Sequence, residues 1–509
     1  MSSAITCVDS LSALLLEQKA AFNAQGAVSA QQRRERIQRV IDMLVAHHQA
    51  LAEAMDADFG GRPQGFSLMN DVLGSLGSLK HARDHLEGWM QDEPRQVFSP
   101  YDQLGAQAWG MYQPKGTVGI LGTWNAPLYT LLSPLASALA AGNRAILKPS
   151  EVVPRTAALV AQLFGESFDP LEVAVVTGGP DLAQAFTAQP FDHLVFTGSS
   201  AVGKSVMRNA AENLVPVTLE LGGKSPVIVS RSAELATVAF RIALSKTTNS
   251  GQVCINPDLV YVPREHLESF LDAFASAYRE FIPDLSDNPD VVAVVNAQHL
   301  ARVENLVEQA RQAGARVMSL PLAQPADPHN RRRPLQVVID PPQDSLIMHE
   351  EIFGPALVVL PYDDVDQVID SINGRPRPLA LYYFGEDALE QEHVLAHTLS
   401  GGVTLNDVMM HAALHENLVA AELDGDSPDH LDVWVVLPGA GESLHSGMRA
   451  FVRSHGDELD RLSDDQLDEC DLTLRELTQI REAMIRSLVA IYHSRVDYPG
   501  YVPPPSGAF

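Results

Sequence analysis

Short apolar segments alternate with helical segments from Gly116 onwards, and this alternation limits the possible folds of the chain more than any other feature. The apolar segments are rich in β-branched residues, and amphipathic stretches of helical length separate them. Strands that alternate with helices in this way predict a doubly wound parallel sheet. The pattern then repeats from about Ser225 to Gly402, so we expect a second α/β domain.

Charge and cysteine content narrow the class of protein. The chain of 509 residues has 36 Lys and Arg against 64 Asp and Glu, and its net charge of −28 argues against binding to nucleic acid or an anionic membrane. Its 3 cysteines are too few and too far apart for a disulfide framework or a zinc site, which favours a reducing compartment. The N-terminal apolar run has no basic region ahead of it. We therefore expect a cytoplasmic protein with no bound metal and no membrane span.

A glycine-rich segment, VFTGSSAVGKSV, is compatible with two kinds of phosphate site. Gly198, Gly203, Lys204 and Ser205 have the spacing of a P-loop, in which backbone N–H groups and a lysine hold nucleotide phosphates. A P-loop enzyme also needs an apolar strand that ends in a magnesium-binding aspartate, and no convincing candidate is present. The alternative is a glycine turn before a helix whose N-terminus receives an anion.

Three residues have side chains suited to covalent catalysis. Cys254 follows a glycine at a predicted helix-to-loop junction, where it is either a small buried hydrophobe or a nucleophile. Glu220 ends an apolar strand ahead of two glycines, so it is either a solvated strand end or a partly buried base with a raised pKa. Asn125 lies between a strand and a helix and could donate to an oxyanion. Lys148, together with Ser150 and Glu151, follows the next strand, at the sheet edge where ligands bind in open α/β folds.

Six segments in a fixed order carry a family resemblance: GTWNAPLY, ALAAGNRAILKPSE, FTGSSAVGK, LELGGKSPVIV, NSGQVCINPD and EEIFGP. With them, the chain resembles the aldehyde dehydrogenase superfamily, in particular the shorter-tailed class that includes fatty aldehyde and coniferyl aldehyde dehydrogenases. The resemblance implies NAD(P)-dependent oxidation of an aliphatic or aromatic aldehyde to a carboxylic acid. Cys254 would attack the aldehyde carbon, and the Asn125 amide and the Cys254 backbone N–H would hold the oxyanion. Glu220 would then activate the water that hydrolyses the thioester.

The same resemblance implies a dinucleotide site. Lys148 and Glu151 would bind the adenosine ribose with Ser150 beside them, and Lys204 becomes a solvent-facing helix residue. A carboxylate near the ribose 2′ position favours NAD over NADP, although NADP remains possible. The other cofactor-binding residues it implies are Thr123, Trp124, Gly198, Ser199, Gly203 and Leu221, with Glu351 and Phe353 at the nicotinamide ribose and ring.

These inferences divide the chain into four parts. Residues 1–92 and 115–219 form a Rossmann-like cofactor domain, and residues 220–403 form the catalytic α/β domain. A small bridging and oligomerisation element comprises residues 93–114 and 404–420, which favours a homodimer or higher homo-oligomer. Residues 421–509 are an atypical acidic C-terminal region, because the family pattern stops shortly after Asn406 and an acidic insertion follows.

Two other functions stay open at this stage. One is a CoA-dependent acylating dehydrogenase, although relatives of that type typically lack the glutamate base and Glu220 is present. The other is a catalytically impaired scaffold whose altered C-terminal region closes the substrate tunnel. Of the remaining polar clusters, His411 and His415 have the spacing of a metal pair but no third ligand. NRRRP at residues 330–334 is interpreted as a solvated loop, with contact to an anion or a partner as the alternative.

Overall fold

The computed structural model describes residues 8–285, 288, 290–320, 330–413 and 434–436. These residues belong to one compact unit, Met1–Leu437, and a second unit, Pro438–Phe509, lies outside the described residues. The predicted acidic C-terminal region is therefore outside the description except for Trp434–Val436, and so is His415.

A helical N-terminal segment precedes the first sheet, as the periodicity predicts. Its second helix begins with a capping box, in which Ser29 and Gln32 bond each other's backbone N–H groups. A π-helix, Leu68–Leu73, interrupts the regular helices before the segment ends at Trp89. The α-helices are α1 (Val8–Gln25), α2 (Ala30–Ala46), α3 (His48–Phe59), α4 (Gln64–Ser67) and α5 (Gly74–Trp89).

A small antiparallel hairpin and a parallel sheet follow. The hairpin pairs β1 (Glu93–Arg95) with β2 (Ala108–Gly110). The sheet has five parallel strands in the order β5-β4-β3-β6-β7. Its elements are β3 (Thr117–Leu121), α6 (Tyr129–Ala140), β4 (Arg144–Lys148), α7 (Pro154–Ser167), β5 (Val173–Val175), α8 (Pro180–Thr187), β6 (His193–Gly198), α9 (Ser200–Ala211) and β7 (Val217–Leu221).

The second sheet has eight strands among the described residues, in the order β10-β11-β12-β9-β8-β13-β14-β15. All neighbours are parallel except β10 and β11. Its strands are β8 (Pro226–Val229), β9 (Leu259–Pro263), β10 (Arg316–Leu320), β11 (Leu335–Ile339), β12 (Ala356–Tyr362), β13 (Leu381–Phe384), β14 (Val403–Leu405) and β15 (Trp434–Val436). Its helices are α10 (Leu235–Thr247), α11 (Leu267–Phe281), α12 (Ala297–Gln312), α13 (Val365–Asn373) and α14 (Ala388–His397).

The central strands of both sheets are buried on both faces, which explains why they are continuous apolar runs rather than alternating ones. In β8, Val227 and Val229 belong to one apolar core and Ile228 to the core on the opposite face. In β4, Leu147 and Ile146 divide between two cores in the same way. The predicted α/β fold is confirmed.

The order of the first sheet locates a ligand crevice. The chain builds β3, β4 and β5 outward on one side and then returns to place β6 and β7 on the other side of β3. The topological switch therefore lies between the carboxyl ends of β3 and β6, which is where open α/β sheets bind ligands.

Candidate active site

The carboxyl edge of the first sheet brings together most of the predicted site residues. Thr123, Trp124 and Asn125 follow β3, and Lys148 is the last residue of β4, with Ser150 and Glu151 just beyond it. Gly198 ends β6, and Ser199 follows it directly. Glu220 and Leu221 are the last residues of β7, and Glu220 pairs with Thr197 of β6.

The side chains at this edge fit a ligand with ribose hydroxyls and phosphates. Lys148 is buried, and its ammonium group donates to the Glu151 carboxylate at 2.6 Å and to the Pro149 carbonyl at 3.2 Å. Ser199 caps α9, where its hydroxyl accepts from the Val202 N–H, so the positive end of that helix faces the crevice.

Two glycines keep this turn compact. A Cβ on Gly198 would lie 2.5 Å from the Phe196 ring, and one on Gly203 would lie 2.9 Å from the Leu221 side chain. Helix α9 can therefore approach β7 closely only because Gly203 has no side chain. Lys204 is exposed on α9, as expected for a solvent-facing residue.

Cys254 follows a turn of unusual backbone geometry. Asn249, Ser250 and Gly251 all have positive φ values, of 48°, 51° and 75°. This conformation costs free energy for residues other than glycine, so it requires support from its surroundings. Ser250 donates to the Val292 carbonyl at 2.5 Å, and the Gln252 amide donates to the Asn249 carbonyl at 2.9 Å.

Asn125 contacts the same segment. It is buried, and its side-chain amide donates to the Gln252 carbonyl at 3.2 Å, two residues before Cys254. The Thr123 hydroxyl donates to the other end of the amide, the Asn125 Oδ1, which leaves the NH₂ group facing the cysteine segment. The structure therefore brings the predicted oxyanion donor into contact with the segment that carries the predicted nucleophile.

Two carboxylates act on the Cys254 thiol. Burial, together with the charges of Glu351 and Glu220, raises the thiol pKa to about 12, while the backbone N–H groups of Cys254 and Ile255 oppose the shift. The predicted nucleophile is thus a protonated thiol at neutral pH in this state, and a thiolate forms only when a base or a positive charge assists it.

The Glu351 side chain lies against the glycine pair after β7. Its carboxyl group occupies the place that a Cβ on Gly222 would need, and it accepts from the Gly223 N–H. Burial and the charge of Asp258 raise the pKa of Glu351 to about 8, whereas Lys224 and Arg302 oppose the increase. Because Gly222 has no side chain, the segment that carries Glu351 can approach the end of β7 this closely.

Phe353 joins an aromatic cluster at the mouth of the crevice. It has a positive φ of 49°, and its ring lies 5.2 Å from the Trp124 ring in an edge-to-face arrangement. His299 contacts the other side of Trp124 at 4.8 Å. The segment around Glu351 and the segment around Asn125 thus meet through their aromatic side chains.

Sequence reasoning missed the charged side chains that bond the segment around Glu351 and the residues after Cys254. Lys224 forms an ion pair with Asp258, and Arg302 donates to the carbonyls of Glu351 and Ile352. Their only sequence signal is a charged residue within an apolar run, such as the Lys in LELGGKSPVIV.

The interpretation of NRRRP as a solvated loop is wrong. Arg331 and Arg332 are half-buried, and they donate to the carbonyls of Val294 and Val291 at 2.7 and 2.8 Å.

His411 is buried and bonds the Thr404 hydroxyl at 3.0 Å. Within the described ranges, no three His, Cys, Asp or Glu side chains come together as a metal site, and no helix has the length and apolarity needed to cross a membrane.

The site has the features of an NAD(P)-dependent oxidoreductase with a cysteine nucleophile: a doubly wound sheet, a glycine turn ahead of a helix N-terminus, and a thiol whose pKa two carboxylates raise. The chain belongs to the aldehyde dehydrogenase family, whose model matches residues 10–418. It is 48% identical over 408 residues to a probable coniferyl aldehyde dehydrogenase of Caulobacter vibrioides, across 80% of this chain and 84% of that protein.

Solved structures agree with this assignment. The substrate-bound state of Staphylococcus aureus AldH matches with a TM-score of 0.75 and 34% identity, over 79% of this chain and 86% of that one. A Mycobacterium tuberculosis aldehyde dehydrogenase complexed with NAD+ matches with a TM-score of 0.71 and 28% identity, over 79% and 83% of the two chains. The predicted function, NAD(P)-dependent oxidation of an aldehyde, is confirmed, and neither the CoA-dependent enzyme nor the inactive scaffold is favoured.

The charge of Glu351 predicts a pH-dependent effect on the thiol. At pH 9 Glu351 is ionised, because its pKa is about 8, so Glu351→Gln removes a negative charge near Cys254 and lowers the thiol pKa. We expect Cys254 in the ligand-free enzyme to react with iodoacetamide about 3- to 10-fold faster at that pH. At pH 6.5 Glu351 is already protonated, and the change should stay below about twofold.

The rate of alkylation, followed by mass spectrometry, measures this effect. Glu350→Gln is the matched control, because Glu350 is exposed, and it should leave both rates unchanged. An equal effect of Glu351→Gln at both pH values would contradict the electrostatic explanation.

Proposed function

We propose that Cys254, Asn125 and Glu220 are the catalytic residues of this dehydrogenase and that NAD is the preferred cofactor. The observation that carries the proposal is the contact between the Asn125 amide and the cysteine segment, with the Glu220 charge acting on the same thiol. Both observations support a site to which three separate parts of the chain contribute a nucleophile, an amide donor and a carboxylate.

In the proposed reaction, the Cys254 thiol loses its proton to a neighbouring carboxylate and its sulfur bonds the aldehyde carbon. The carbonyl oxygen gains negative charge, which the Asn125 amide and the Cys254 N–H stabilise in the transition state. The carbon–hydrogen bond of the former aldehyde then breaks as the oxyanion re-forms a carbonyl, and bound NAD would accept the hydride, which no side chain can do. The resulting thioester is hydrolysed by a water molecule whose proton passes to Glu220, which frees the Cys254 thiol and the carboxylic acid.

We further infer that the substrate is an aromatic aldehyde with a conjugated side chain, of the coniferyl type. The identity of 48% to a probable coniferyl aldehyde dehydrogenase, over most of both chains, supports this choice.

We also propose that the chain divides into a cofactor domain and a catalytic domain, and the two separate sheets support this division.

We propose a cytoplasmic location, which the small number of cysteines supports, and cell fractionation would test it.

Turnover tests the proposed reaction. We expect NADH formation with coniferaldehyde to exceed that with octanal by about tenfold or more in kcat/KM, without added CoA. Cys254→Ala should reduce NADH formation to background with both aldehydes. A strict need for CoA, or activity that survives in Cys254→Ala, would refute the proposed reaction, and a preference for octanal would refute only the substrate class.

Glu220→Gln separates the two halves of the reaction. The first NADH, one per active site, should still form as a burst, because acylation of Cys254 does not require the activated water. The following steady-state rate should fall by about 100-fold or more, since the thioester then accumulates.

A pair of lysines tests the cofactor site. Lys148→Ala should weaken NAD binding by about 10- to 100-fold, because it removes a buried charged donor at the end of β4. Lys204→Ala is the matched control, since Lys204 is exposed on α9, and its dissociation constant should stay within a few fold. Calorimetric titration with NAD measures both values. A collapse of binding in Lys204→Ala would instead restore the P-loop interpretation.

We propose that the hairpin of β1 and β2 contacts a second copy of the chain. Apolar side chains are exposed on and beside it, with Phe98 75%, Leu104 78% and Trp109 59% accessible. A cluster of exposed apolar residues of this kind is typical of an interface. Sedimentation should show a homodimer or larger assembly for the wild type and a monomer for Leu104→Ser combined with Trp109→Ser, whereas a monomeric wild type would contradict the proposal.

A further inference from the structure

Arg62 is a fully buried arginine with several simultaneous contacts. Its guanidinium forms an ion pair with Asp71 at 2.5 Å, and its Nε donates to the Ser67 hydroxyl at 3.1 Å. The rings of Phe59 and Phe66 lie over the same guanidinium, each 4.7 Å from it. Hydrogen bonds in the guanidinium plane and rings over it hold the group in one orientation.

Asp71 links Arg62 to the loop after β3, because its carboxylate accepts hydrogen bonds from both. One of its oxygens binds Arg62, and the other accepts from the backbone N–H of Leu128 at 3.1 Å. The π-helix that contains Asp71 accounts for this reach, because an inserted residue shifts a side chain relative to a regular helix. The N-terminal end of α6 is thereby tied to Arg62.

The remaining donors of Arg62 point at the active site. Its Nη1 donates to the Asn125 carbonyl at 2.8 Å and lies 3.4 Å from the Asn249 Oδ1. The Asn249 amide in turn bonds the Asn125 carbonyl at 3.3 Å and the Gln252 carbonyl at 3.0 Å. One guanidinium nitrogen thus contacts both the residue that carries the oxyanion donor and the strained turn before Cys254.

We propose that Arg62, held by Asp71, is a positioning residue that sets the placement of the Asn125 amide relative to Cys254. The inference rests on the proposed roles of Asn125 and Cys254. Arg62 does not contact the reacting atoms, and it acts through Asn125. Because its partners come from the N-terminal helices, the loop after β3 and the turn after α10, it couples segments that lie far apart in the sequence.

An arginine suits this role better than a lysine. The planar guanidinium can bond the carboxylate, the hydroxyl and the two asparagine oxygens at once, in a fixed geometry. The ammonium of a lysine keeps the charge but lacks the planar fork, so it cannot reproduce this set of directions. Arg62→Lys therefore alters the positioning while it preserves the buried charge opposite Asp71.

A double-mutant cycle tests the proposal in the full-length enzyme. We expect Arg62→Lys to lower kcat for aldehyde oxidation by about 10- to 100-fold, as a displacement of about 1 Å at a catalytic group does. The rate of Cys254 alkylation by iodoacetamide should stay within about twofold of the wild-type rate, because alkylation does not need an oxyanion donor. The affinity for NAD should also stay within about twofold. Asn125→Ala should lower kcat by about 100- to 1,000-fold, and adding Arg62→Lys to it should change kcat less than about threefold further.

Arg33→Lys is the matched control. Arg33 is also buried, and it donates to backbone carbonyls of Val28 and Ala140 at 3.0 and 2.8 Å. Its substitution should lower the melting temperature and leave kcat unchanged. Asp71→Asn, which keeps the shape of the side chain and removes its charge, repeats the cycle if Arg62→Lys does not fold.

The outcomes separate the inference from the proposed function. If the effects of Arg62→Lys and Asn125→Ala on kcat multiply, Arg62 does not act through Asn125 and the inference is overturned. If Asn125→Ala leaves kcat unchanged, the proposed oxyanion donor itself is wrong, and the inference falls with it.

Discussion

The buried ion pair between Lys224 and Asp258 is the constraint on which the arrangement of the site depends. Besides Asp258, the Lys224 ammonium donates to the Ile347 carbonyl at 2.6 Å and the Glu350 carbonyl at 2.9 Å. The free oxygen of Asp258 accepts from the Ile352 N–H at 2.8 Å. Burial lowers the pKa of Lys224, and the Asp258 charge opposes this shift. A buried charge is tolerated only when its partners satisfy it, and here every ammonium proton has an acceptor.

These contacts join three segments that the chain order keeps apart. Lys224 follows the strand end that carries Glu220, and Asp258 follows the segment that carries Cys254. The carbonyl acceptors lie on the segment that leads to Glu351. The ion pair therefore fixes the distance between the two carboxylates and the thiol, and the pKa of that thiol is a consequence of how the segments are tied together.

The features that depend on local pattern, which are the strands and the residues at their ends, could be predicted from the sequence. The contacts between residues far apart in the chain could not. The strands were predictable because apolar runs buried on both faces have a recognisable composition, as β12 shows with the sequence ALVVLPY. The residues at strand ends were predictable because parallel strands present their carboxyl ends at one edge. The Lys224–Asp258 pair joins residues 34 positions apart, and Arg62 contacts Asn249 across 187 positions, so no local pattern contained them. Arg331 was misjudged for the same reason, because its carbonyl partners lie on the segment around Val294.

The positive-φ turn before Cys254 shows how these distant contacts produce a reactive geometry. Two adjacent residues other than glycine hold a left-handed conformation, which a free chain disfavours by about 1–3 kcal/mol each. Hydrogen bonds that Asn249 and Ser250 donate to the Asn125 and Val292 carbonyls, and one within the turn itself, compensate for this cost. The conformation of the segment before Cys254 therefore depends on its contacts with the loop after β3 and with the segment around Val292. Burial and the charges of the two carboxylates keep the thiol protonated in this state. The fold therefore places the nucleophile without activating it, and a thiolate requires a base or a positive charge.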